Sequence, residues 1–60
     1  MNEINEKYIS DILKLYNDRI TDKKIYNEIF CYVNYLIIDS EYTITIAGIR
    51  KRIEGRLKQL

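Results

Sequence analysis

Cys31 is the only cysteine in this chain, and histidine is absent altogether. Those two facts limit how 60 residues can be held in one shape. A chain this short buries only about 60% of the surface its unfolded form exposes, so small domains commonly lean on disulfides, a structural metal or oligomerisation. A lone thiol closes no disulfide within the chain, and one thiol without imidazole does not assemble the usual zinc ligand sets. What remains is well-packed helices or self-association. Apolar residues at 47% and charged residues at 32% fit a soluble globular domain and not a disordered segment.

The apolar spacing predicts helices. From Glu3 to Arg19, the residues Ile4, Tyr8, Ile9, Ile12, Leu13, Leu15 and Tyr16, followed by Ile20, fall on one half of a helical wheel, and charged or polar residues fill the other. Asn2 is the expected cap of this helix, with acidic Glu3 and Glu6 suited to its N-terminal dipole. A break at residues 18–21 leads to a second helix over 22–38, capped by Thr21 or Asp22, with Ile25, Tyr26, Ile29, Phe30, Val33, Leu36 and Ile37 at core spacing. Cys31, Tyr35 and Ile38 lie on a different side of that helix. A helix apolar nearly all round is usually sandwiched between neighbours, and in so short a chain this points to a second copy. The run Ile29–Ile38 is also rich in β-branched and aromatic residues, which suits a strand, but it lacks the two-residue alternation of one.

Asp39-Ser40-Glu41 forms a second break. Tyr42 to Ile46 then alternates, either as a short extended segment or as the lead-in to a third helix capped by Thr43 or Thr45. Ile46, Ile49, Ile53, Leu57 and Leu60 make a narrow seam along it. The expected fold is therefore all-α: a single small three-helix domain over residues 1–60, pairing into a homodimer through the second helix. Ile12, Ile29, Val33 and Ile53 are the expected centres of its core.

Charge is distributed unevenly. The net charge is +1, but residues 1–40 carry a balance of −2 and residues 41–60 one of +3. Arg50, Lys51, Arg52, Arg56 and Lys58 make the third helix basic. A basic segment on a mildly acidic body is a recognised pattern for nucleic-acid or acidic-partner binding. Gly48 and Gly55 fall opposite the isoleucine seam, where small residues let a helix approach a phosphate backbone closely. The stretch Thr-Ile-Ala-Gly-Ile-Arg-Lys-Arg-Ile has the rhythm of a recognition helix, although the break before it lacks the usual helix-turn-helix glycine. Residues 42–60 also resemble the strand and first helix of a ribbon-helix-helix repressor, a fold that requires a further helix after the first.

Catalytic chemistry has little to draw on. Without histidine the usual near-neutral acid–base group is missing, and Cys31 in an apolar run reads as an inert core or interface thiol. Gly48 and Gly55 match neither a dinucleotide fingerprint nor a P-loop. No enzyme, cofactor or metal site is expected. The opening Met-Asn-Glu-Ile-Asn-Glu does not read as a signal peptide, and the longest apolar stretch is half the length needed to span a bilayer. A cytoplasmic protein with no membrane role is the expectation, with a composition suited to a phage, plasmid or low-GC bacterial genome. The expected function is that of a small accessory regulator binding duplex DNA through Arg50, Lys51, Arg52, Arg56 and Lys58. The alternative is an inhibitor or adaptor that docks on a larger protein. Cys31, Tyr32, Tyr35 and Ile38 are the expected dimer or partner surface.

Overall fold

The computed structural model describes residues 2–60, and side chains from residue 6 onward. It contains three helices, α1 (Asn2–Leu13), α2 (Lys23–Asp39) and α3 (Ile46–Gln59), with one 3-10 turn, Lys14–Tyr16, extending α1. No strand occurs among the described residues. The run Ile29–Ile38 is helical throughout, so its β-branched residues are governed by the helical spacing of Ile29, Val33 and Ile37, all buried. Residues 43–45 belong to no regular element, with Thr45 in extended backbone (φ −85°, ψ 162°) and Tyr42 before them left-handed (φ 67°).

Each helix is formed by its own sequence signals. Asp22 caps α2 by accepting the Lys24 backbone N–H at 2.7 Å, and Thr45 caps α3 by accepting that of Gly48 at 3.0 Å. The side chains of Asn2, Glu3 and Ile4, and with them the expected cap and first-turn charge of α1, lie outside the described residues.

Ile9, Ile12, Leu13, Tyr16 and Ile20 from the first segment meet Ile29, Val33 and Ile37 of α2 and Ile49 and Ile53 of α3 in one core. Ile25, Tyr26, Phe30, Ile44 and Leu57 close its edges. Two members of the expected first stripe are not in it: Leu15 is 61% exposed and Tyr8 stands at the exposed margin. Both sit on the flank of the stripe, and the chain tightens into the 3-10 turn at Leu15, aiming Tyr16 inward instead. α2 packs against both α1 and α3. Much of its broad apolar surface is therefore covered by the chain's own helices, leaving only Cys31, Tyr35 and Ile38 outward. Cys31 is exposed at the back of α2, away from Ile29 and Val33, so of its two readings, core or interface thiol, the core one does not hold.

The turn between α2 and α3 is built without glycine. The Tyr42 N–H donates to the Ile37 carbonyl at 2.9 Å and the Glu41 N–H to that of Ile38 at 3.0 Å, the paired bonds of a Schellman ending. That geometry needs left-handed backbone, adopted by Glu41 (φ 54°) and Tyr42 (φ 67°). Ser40 offsets part of the resulting strain. Its hydroxyl donates to the Ile37 carbonyl at 3.0 Å and accepts the Ile44 N–H at 3.3 Å. No described helix is long and apolar enough to cross a membrane.

Candidate nucleic-acid interface

α3 is oriented by its seam. Ile49 and Ile53 are fully buried, which turns the opposite side of the helix, with Ala47, Lys51, Gly55 and Lys58, to solvent. Gly48 belongs to packing more than to that open face. A Cβ placed on it would stand 3.2 Å from Ile44 Cγ1 and 3.3 Å from the capping Thr45 Oγ1, so glycine lets residue 44 fold down against the start of α3. Gly55 differs. A Cβ there would meet nothing within 4 Å.

The five basic residues divide into two sets. Arg50 and Arg56 are engaged with the body of the fold. The Tyr16 hydroxyl, on an otherwise buried ring, donates to Glu54 Oε2 at 3.1 Å and accepts from Arg50 Nε at 3.4 Å. The hydrogen bond to Tyr16 is the main cause that raises the Arg50 pKa above the ordinary guanidinium value, with the Coulombic influence of Tyr16 next and Glu54 contributing less. Arg50 is itself exposed and makes no ion pair among the described residues, so this long hydrogen bond is its contact with the first segment. Arg56 reaches the other way: its Nη2 lies 3.3 Å from Glu28 Oε2 and its guanidinium carbon 5.2 Å from the centroid of the Tyr32 ring. Arg56 Nε is buried without a hydrogen-bond partner.

Lys51, Arg52 and Lys58 form the second set. They are exposed, and none makes an ion pair among the described residues. Arg52 makes only a long hydrogen bond, 3.4 Å, to the Gly48 carbonyl one turn back. Between α2 and α3 runs an open groove of about 520 Å³ lined by Tyr32, Lys51, Arg52, Gly55, Arg56 and Gln59. Three of those six side chains are cationic and none is acidic.

Of the expected partner residues, Tyr32 joins this basic groove, whereas Tyr35 and Ile38 are 62% and 54% exposed on the back of α2. Tyr32 and Gln59 belong to the groove although helix periodicity did not mark them as part of a basic site. The signal for Tyr32 lay in its position on a flank of α2, but which flank α3 covers is decided by tertiary packing. No protein-family model, curated protein or solved structure matches this chain. Its chemistry is read from the side chains alone.

Proposed function

We propose that this chain is a small non-catalytic accessory regulator that binds nucleic acid through the outward side of α3. The observation that carries the reading is the cluster of exposed cations without an ion pair, Lys51, Arg52 and Lys58, beside a groove whose flanking carboxylate, Glu28, is already paired with Arg56. Phosphate oxygens are the natural complement of such a surface, and releasing their counterions supplies most of non-specific affinity. Lys51, Arg52 and Lys58 make the first contacts, with exposed Arg50 beside them and Arg56 lining the groove, while Ile49 and Ile53 hold the helix in place.

Titrating labelled duplex DNA with the protein at low salt tests this directly. Binding in the range of about 1–100 micromolar or tighter is expected. Replacing Lys51 and Arg52 with alanine should weaken it for every sequence and flatten the slope of log affinity against log salt by about 1 per lost contact. No binding at tens of micromolar would end the proposal.

A second reading is favoured by a separate observation, the exposed apolar stripe of Cys31, Tyr35 and Ile38. It supports pairing with a second copy or docking on a larger protein as an inhibitor or adaptor. Such a complex would be insensitive to salt and to loss of Lys51 and Arg52, and sensitive to polar substitution of Tyr35 and Ile38.

A further inference from the structure

The groove between α2 and α3 contains a feature that the fold itself does not explain. A glycine in a helix interior is unfavourable relative to alanine because it frees the unfolded backbone and contributes no side chain. Gly48 is accounted for by the close approach of Ile44 and Thr45. Gly55 has open space where a Cβ would stand, and nothing in the chain requires its smallness. It lies in the groove, with Lys51, Arg52 and Arg56 among the residues lining the same wall.

We infer that this groove is a seat for the sugar–phosphate backbone of one nucleic-acid strand, with Gly55 as the floor that lets the strand touch the main chain of α3. The inference rests on the nucleic-acid reading above and adds where the backbone lies. Lys51 and Arg52 neutralise a phosphate arriving from the solvent side. Arg56 is held at the inner wall on the Tyr32 ring, with its guanidinium already on the carboxylate of Glu28. That carboxylate occupies the position of an anion on Arg56 and competes with an incoming phosphate. The ion pair is half-exposed, with side-chain accessibilities of 40% for Arg56 and 43% for Glu28, so an arriving strand can reach it. Exposed pairs of this kind are weak enough to be exchanged.

Three variants of the full chain, titrated with labelled duplex DNA across a salt series, test the seat. Gly55→Ala should melt higher than wild type, because a better helix former fills an unstrained position, and yet bind DNA more weakly. Gly55→Leu should fold as well as wild type and bind about tenfold more weakly, equivalent to roughly 1.4 kcal/mol. Glu28→Gln should bind more tightly than wild type, with a salt slope steeper by about 1 as Arg56 gains a phosphate. Glu6→Gln is the control, since it removes the same charge from α1, beside Phe30, Asn34 and Ile38 of α2 and outside the groove. Its gain should be smaller and its slope unchanged. If wild type binds and loses affinity on removal of Lys51 and Arg52, but Gly55→Leu binds like wild type, the seat is wrong and the α3 interface stands. Equal behaviour of Glu28→Gln and Glu6→Gln likewise overturns the role of Arg56. Absence of any wild-type binding overturns both proposals together.

Discussion

α2 and α3 bury their inner sides by the same means and present opposite chemistry outside. Each has an N-cap side chain, Asp22 or Thr45, and each sends a row of β-branched residues into the shared core. On the outside, α2 shows a thiol, a tyrosine and an isoleucine among charges of both signs, whereas α3 shows two lysines, two arginines and no exposed carboxylate. The difference separates what holds the domain together from what it offers to others. Burial of Ile29 and Ile53 is a requirement of folding, but exposure of Tyr35 or Lys51 is not, and both outer sides lie beyond the reach of the core.

The strongest way to break this comparison is to damage the inner sides. Ile29→Ala and Ile53→Ala should each cost about 2–5 kcal/mol, comparable with the whole stability of a domain this small. Urea melts followed by circular dichroism would show it. A urea midpoint unchanged from wild type for either variant would mean that its helix is not anchored through that residue.

The caps and the anchoring hydroxyl come next. Asp22→Ala and Thr45→Ala should each destabilise by about 1 kcal/mol. Tyr16→Phe should cost about 1 kcal/mol by removing the hydroxyl that Glu54 and Arg50 share. The last result bears on α3 alone, so a larger loss for Tyr16→Phe than for Asp22→Ala would sharpen the contrast between the two helices. Glu41→Gly should act in the opposite direction. It relieves a left-handed non-glycine backbone and is expected to stabilise by about 1 kcal/mol in the same urea melts; a destabilised variant would show that the Glu41 side chain contributes more than its backbone costs.

Substitutions on the outer sides should have the smallest effect on stability. Tyr35→Ser with Ile38→Ser, and Lys51→Ala with Arg52→Ala, should each change it by no more than about 0.5 kcal/mol per site. Their effects on association should differ. Sedimentation at micromolar concentration is expected to show a dimer for wild type and for the lysine–arginine variant, and a monomer for the tyrosine–isoleucine variant. A wild-type monomer would leave the α2 stripe without the proposed second copy.

Helix identity, the centres of the seams and two of the caps were legible in the chain because they depend on neighbours three and four residues apart, but the ends of the third seam were not: Ile46 and Leu60 are 50% and 56% exposed. Ile29, Val33 and Ile37 repeat at helical spacing whatever packs against them, and Thr45 caps because of Gly48 three residues on. The same local logic placed Cys31, Tyr35 and Ile38 off the core side. It counted Leu15 into the stripe, but Leu15 lies on the stripe's flank and, in the 3-10 turn Lys14–Tyr16, is 61% exposed while Tyr16 is buried.

The division of the basic cluster was decided by tertiary structure. In sequence, Arg50, Lys51, Arg52, Arg56 and Lys58 are equivalent cations on one helix. Only when α1 brings Tyr16 to one flank and α2 brings Glu28 and Tyr32 to the other do Arg50 and Arg56 acquire partners 34 and 28 residues away. Lys51, Arg52 and Lys58 make no ion pair among the described residues and keep their charge for solvent or a ligand. The two glycines are separated by the same physics. Ile44 folds down on Gly48 and nothing approaches Gly55. Local spacing determines which residues share a side of a helix, but the packing of one helix on another determines which of those sides is left open.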